Sequence, residues 1–169
     1  MGLNLKRSRV SYIVLDVLLD STYLLPSFGI EVKGLSDEHI WALKAWLRKL
    51  VRFYCLSTVW FELIGKVCRE ARRSGIEVSD VVGVATRSLL ESGMYRWMAP
   101  TPDAIKLALE LCLAGHKDII DNLLYATSVT RSMILLTMDE ALKGFLAEHG
   151  FSTESLMDHK QLLEKLHTL

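Results

Sequence analysis

The chain has 169 residues, half of them apolar and 24% charged, a globular composition long enough to bury a core. Twenty basic residues balance twenty acidic ones, which excludes the global positive field of many nucleic-acid binders and leaves the distribution of charge to be read. Cys55, Cys68 and Cys112 are odd in number, widely spaced and free of any CxxC pattern, which argues against zinc. They read as small buried hydrophobes in a reducing cytosol.

Lys6, Arg7 and Arg9 precede an apolar run over 10–25, the arrangement of a signal peptide or membrane anchor. Asp16 and Asp20 interrupt that run. A bilayer span needs about 20 mostly apolar residues, and a central Asp costs about 3 kcal/mol, so a cytoplasmic protein without a membrane segment is expected.

Residues 10–19, VSYIVLDVLL, are nearly continuous in hydrophobicity and predict a strand covered on both faces. Asp20, Ser21 and Thr22 end it, and a short helix or turn closes near Gly29. Ser36, followed by Asp37 and Glu38, predicts a helix over 37–50 whose apolar face includes Ile40, Leu43, Trp46 and Leu47. A short strand follows over Val51–Leu56, and Ser57 caps the next helix, which Gly75 closes. Ser79 or Asp80 opens another, ending near Gly93. Tyr95–Ala99 reads as a strand, and Thr101, Pro102 and Asp103 are a firm helix start, with a cap, a proline at the first turn and an acid beside it. Gly115 breaks that helix; a new one occupies about 117–130, a strand covers Met133–Thr137, and Asp139 opens a helix to about His149. The tail over 153–166 is amphipathic and helical. Strands alternating with helices predict one α/β domain over 1–169, three layers deep, around a mostly parallel sheet of four or five strands. Its core spans about 10–148, with a helical extension over 150–169.

In such a sheet ligands bind beyond the carboxyl ends of the strands, where the following helices begin. Asp20 follows the first strand and Asp139 the last, while Glu62 and Asp121 lie near the starts of two helices. Singly, each has a bland reading as a cap or a solvated helix residue. Together they would repel: two unit charges 4 Å apart interact by about 4 kcal/mol at an effective dielectric of 20. A divalent cation relieves that repulsion, and oxygen ligands suit Mg²⁺ or Mn²⁺. Such an ion can activate water against a phosphodiester.

The stretches VLLDSTYLL, WFELIGKV, DNLLYATSV and ILLTMDEAL, spread over about 10–148, resemble the motifs of the PIN-domain family of nucleases, which includes the VapC-like ribonucleases. The last two are the most specific. The resemblance implies a PIN-like fold and a metal-dependent endoribonuclease, with Asp20, Glu62, Asp121 and Asp139 as acidic ligands for Mg²⁺ or Mn²⁺. It implies that Thr137 supports the site by hydrogen bonding and that Ser21 or Thr22 holds the turn around Asp20. Asp16 competes with Asp20 as the first acid, but Asp20 is the one followed directly by Ser-Thr and a new element. Asp118, one turn before Asp121, is a helix-end charge or an auxiliary ligand, and His116 a polar helix-start residue or a ligand. The helix at 37–50 and the tail look like additions to the compact family pattern.

Lys44, Arg48, Lys49, Arg52, Lys66, Arg69, Arg72 and Arg73 face only Glu62 and Glu70 between them, a basic flank suited to a phosphodiester or simply a solvated surface. Trp41, Trp46, Trp60 and Trp97 are core residues by spacing, or platforms for bases. The resemblance implies RNA as substrate, with a small antitoxin protein and a second copy of the chain as candidate partners. The role is that of a toxin in a toxin–antitoxin pair or of an RNA-processing enzyme. The alternatives are a catalytically silent PIN-like module that binds nucleic acid or protein, and an unrelated α/β binding protein in which the acids are only caps.

Overall fold

A computed structural model describes residues 13–47, 49–75 and 79–169. Five strands, β1 (Leu15–Leu19), β2 (Val51–Leu56), β3 (Tyr95–Met98), β4 (Ile134–Leu136) and β5 (Leu156–Met157), form one sheet in the order β3-β2-β1-β4-β5. Every neighbouring pair is parallel, so the mixed sheet allowed by the sequence is an all-parallel one. Parallel strands need crossover connections, and six helices supply them, α1 (Asp37–Ala45), α2 (Val59–Ser74), α3 (Ser79–Glu91), α4 (Pro102–Leu113), α5 (Ile119–Thr130) and α6 (Glu140–Glu148), while α7 (His159–His167) follows the last strand. With right-handed crossovers, steps toward β3 and steps toward β5 place their helices on opposite faces of the sheet.

The central strands are apolar because both faces are covered. Val17 and Leu18 of β1, Cys55 and Leu56 of β2, and Leu135 and Leu136 of β4 are essentially inaccessible to solvent. Leu63, Leu89, Leu111, Leu124 and Leu146 pack on them from the helices.

Several boundaries differ from the sequence reading. The first strand begins at Leu15 within the described part of 10–19, and the helix expected to reach residue 50 ends at Ala45, where Trp46 begins a turn. Ser57 does not cap α2: its N–H bonds to the Met98 carbonyl, extending the β2–β3 ladder, and Thr58 occupies the cap position without a side-chain bond. The helix expected over 117–130 starts two residues later, after Asp118, and the strand over Met133–Thr137 is trimmed to Ile134–Leu136. Of the cysteines, only Cys55 is buried; Cys68 and Cys112 are exposed on α2 and α4. An apolar neighbourhood in sequence includes a helix's outer face, which is why the count of buried thiols fails.

The largest revision concerns the tail. Residues 150–169 are not a helix alone: Leu156 and Met157 pair with Leu135 and Leu136 as the fifth strand, and Leu162 and Leu166 of α7 are buried. His159 ties this segment to the turn after β1, its backbone N–H donating to the Tyr23 hydroxyl at 3.1 Å. Among the described residues no helix is long and apolar enough to cross a membrane.

Candidate active site

The sheet order reverses direction at β1: the chain steps from β1 to β2 on one side and later returns to β4 on the other. Such a switch point opens a crevice at the carboxyl ends of the two strands. The register pairs Leu19 with Leu136, which sets the next residues, Asp20 and Thr137, side by side. The Asp20 N–H continues the ladder to the Leu136 carbonyl at 3.1 Å.

Asp20 is 6% exposed, an unusual burial for an aspartate. Its Oδ2 accepts from Thr137 Oγ1 at 3.0 Å, and its Oδ1 from Ser21 Oγ at 3.2 Å and the Thr22 N–H at 3.4 Å. Thr137 Oγ1 in turn accepts the Asp139 N–H at 3.1 Å, so one hydroxyl links two acids. Burial raises the Asp20 pKa above the ordinary carboxylate value, and Glu62 adds to the rise; Lys66, Thr137 and the Thr22 amide pull it back.

The other acids arrive on helix N-termini at the same edge. Asp139 is the N-cap of α6, its Oδ1 accepting the Leu142 N–H at 2.9 Å. Asp121 lies in the first turn of α5; burial chiefly, then Asp118, Asp20, Asp139 and Glu62, push its pKa up to about 8. Glu62 is in the first turn of α2, with Oε1 on Lys66 Nζ at 2.5 Å, while its buried Oε2 has no hydrogen-bond partner. The four acids therefore share one electrostatic neighbourhood. They do not form a closed ligand cage: among the described residues no three Asp, Glu, His or Cys side chains already stand close enough to hold a metal ion.

The supporting residues sort cleanly. Ser21, Thr22 and Thr137 bond Asp20 directly. Asp118 is the N-cap of α5, accepting from the Ile120 and Asp121 N–H groups at 3.0 and 3.2 Å. His116 Nδ1 lies 2.8 Å from the Oδ1 of the buried Asn122. Asp16, the competing first acid, pairs with Arg52 at 2.6 Å across β1 and β2, near the opposite end of the strand.

The basic flank is dispersed. Lys66 touches Glu62 and Ser21 and so belongs to the site itself. Arg52 is paired with Asp16 and Arg73 with Glu70. Arg69, Arg72 and Arg73 lie on the far half of α2, roughly 10–16 Å along the axis from Glu62 at 1.5 Å per residue. Lys44 lies over the Trp41 ring, Lys49 is exposed before β2, and Arg48 falls outside the described residues. The tryptophans divide as well: Trp60 and Trp97 stack on each other with centroids 5.2 Å apart, whereas Trp41 is 71% exposed. A cleft of about 740 Å³ lined by Ile30, Gly34, His39 and Lys160, among others, contains none of the four acids.

Solved structures share this architecture. PAE2754 from Pyrobaculum aerophilum superposes with a TM-score of 0.60 at 14% identity, over 92% of this chain and 97% of that one. VapC20 from Mycobacterium tuberculosis, a toxin that cleaves the sarcin–ricin loop, superposes with a TM-score of 0.53 at 16% identity, over 80% and 96%. The fold is PIN-like. At these identities the likeness is one of fold; no family model matches the chain, and no curated protein matches it in sequence. The resemblance carried by the acidic motifs and the architecture thus agree.

Sequence reasoning placed Lys66 in the basic flank and did not attach it to the acids. Its spacing of one helical turn from Glu62 was the available signal, but a basic residue in a basic helix does not announce which way it points. It also missed the Tyr23–His159 tie, which joins residues 136 positions apart.

Proposed function

We propose that the protein is a metal-dependent endoribonuclease. The observation that carries this reading is the company of Asp20: a buried carboxylate oriented by two hydroxyls, with three further acids close enough to perturb one another. Holding such a group without a cation is unfavourable: burial first, and then the neighbouring acids, push the Asp121 pKa up to about 8. The buried, unpartnered Glu62 Oε2 is a ligand oxygen lacking a counterpart. Asp20, Glu62, Asp121 and Asp139 would hold Mg²⁺ or Mn²⁺, both of which favour oxygen donors. When bound, the ion supplies positive charge against the phosphodiester oxygens and favours attack by water. The chain's own contribution is orientation. Thr137 and Ser21 fix both oxygens of Asp20, the α5 and α6 N-termini favour anionic side chains, and the Leu19–Leu136 pairing keeps the strand ends together.

RNA as the substrate is supported by the PIN-like fold and by the activity of VapC20. The same likeness supports a toxin role with a small antitoxin as partner, against an RNA-processing role; an antitoxin gene directly upstream would favour the first. An apolar groove of about 400 Å³ between α2 and α3, lined by Trp60, Leu63, Ile64, Val67, Val82 and Leu90, suits an amphipathic helix of such a partner. The exposed stripe Ile105, Leu109 and Leu113 on α4 suits a second copy.

The second reading is a catalytically silent PIN-like binding module, favoured by the acids' open spacing. Cleavage of a mixed RNA panel with Mg²⁺ or Mn²⁺ separates the two, comparing wild type with Asp20→Asn and Asp121→Asn. Metal-dependent cleavage abolished by either substitution is expected. Equal activity in all three sinks the site, and no cleavage by wild type favours the module.

A further inference from the structure

Lys66 makes the one ion pair recorded for the four acids among the described residues, and it is not an ordinary surface pair. Its side chain is only 28% exposed, and besides Glu62 Oε1 it donates to Ser21 Oγ at 2.8 Å, reaching from α2 to the end of β1. An ammonium has donors only, so Ser21 must accept from Lys66 and turn its single proton toward Asp20 Oδ1. Lys66 therefore sets the direction of a hydrogen bond on Asp20 through Ser21. Two of its three N–H groups are engaged this way, and the third has no partner among the described residues.

Glu62 is used asymmetrically: Oε1 carries the ammonium, and Oε2 is buried without a partner. In two-metal hydrolytic sites, ions about 3.5–4 Å apart stabilise the attacking and the leaving oxygens. A carboxylate shared between two such cations gives one oxygen to each. Glu62 has that division of labour, with a lysine on one side. We propose that Lys66 is the fixed second positive charge of this site, so that one divalent ion, and not two, completes it. The inference rests on the metal-dependent reading above. One dication and one ammonium leave the four carboxylates short by a single charge, which the α5 and α6 N-termini partly offset. The third Lys66 N–H then serves a non-bridging phosphate oxygen of the substrate, a contact that an ammonium makes as a point charge.

Calorimetric titration of the full chain with Mn²⁺, with electron paramagnetic resonance on the loaded protein, reads the stoichiometry. One Mn²⁺ per wild-type chain is expected, without the signature of a spin-coupled pair. Lys66→Met should lose about 100-fold or more in cleavage while still binding Mn²⁺, and Lys66→Arg should recover part of the loss. Two Mn²⁺ per wild-type chain, or a coupled pair, overturns this inference and leaves the metal reading standing. Wild-type cleavage by Lys66→Met also overturns it. A chain that binds no Mn²⁺ refutes the metal reading and this inference together. Because the stoichiometry is read on the wild-type chain, a poorly folding variant does not rescue the idea.

Discussion

Asp16 lies near the start of strand β1 and Asp20 just past its end, and the two have opposite surroundings. Asp16 pairs with Arg52 of the adjacent strand, both partly exposed, and its charge is balanced one to one. Asp20, four residues on, is buried among hydroxyls and other carboxylates, and the nearest cation is shared with Glu62. Arg52 satisfies its partner where it stands. Around Asp20, acids outnumber cations, and the hydrogen bonds orient the carboxylate without neutralising it. Identical side chains four residues apart thus separate into a paired acid and a crowded, buried one according to what the topology places beside each.

The sharpest way to break this contrast is Asp20→Asn, which keeps the shape and removes the charge. Cleavage should fall about 1,000-fold or more, at or beyond the upper range for loss of one preorganised electrostatic group, with the melting temperature unchanged or raised. A melting temperature that collapses with activity would make Asp20 a structural residue like Asp16. Thr137→Val comes next. It removes the bond to Asp20 and leaves the Asp139 N–H unpaired, so metal affinity and cleavage should each drop about 10- to 100-fold.

A third test reads pH. Asp121 keeps its proton in the folded state up to about pH 8, whereas the unfolded chain releases it near 3.8. Between those values the folded state binds more protons, so with EDTA present stability should decline as pH rises from about 4 to about 8. Asp121→Asn should flatten that decline in melts at pH 5 and pH 8, and Mn²⁺ should reverse it in wild type. A wild-type profile that rises over this range would contradict the burial and crowding of Asp121. The smallest effect belongs to Asp16→Asn: at most about 1 kcal/mol of stability, read by urea titration, with cleavage unchanged.

The strands were legible where burial demanded continuous apolar runs. Val51–Leu56 stands as expected because both of its faces are covered, and Thr101–Pro102–Asp103 marks α4 because cap chemistry is local. The two-residue β5 was not legible: Leu156 and Met157 show no periodicity, and only the edge of β4 makes them a strand. Ser21 and Thr22 signalled the strand's end, and β1 does end just before Asp20. That Asp16 has a partner depends on the register with Arg52, which no local pattern carries. Lys66 was visible as a charge but not as a direction, and within the basic flank Arg52, Lys66 and Arg73 each pair with a different acid.

The bond from Thr137 to Asp20 spans 117 positions. Chain growth at roughly 5–20 residues per second puts on the order of ten seconds between the two residues leaving the peptidyl-transferase centre. Until β4 docks beside β1, Asp20 lacks the hydroxyl on its Oδ2, and Asp121 and Asp139 are still unplaced. If the chain is the ribonuclease proposed above, an emerging copy would be inert toward the RNA around it, and the delay would follow from strand order.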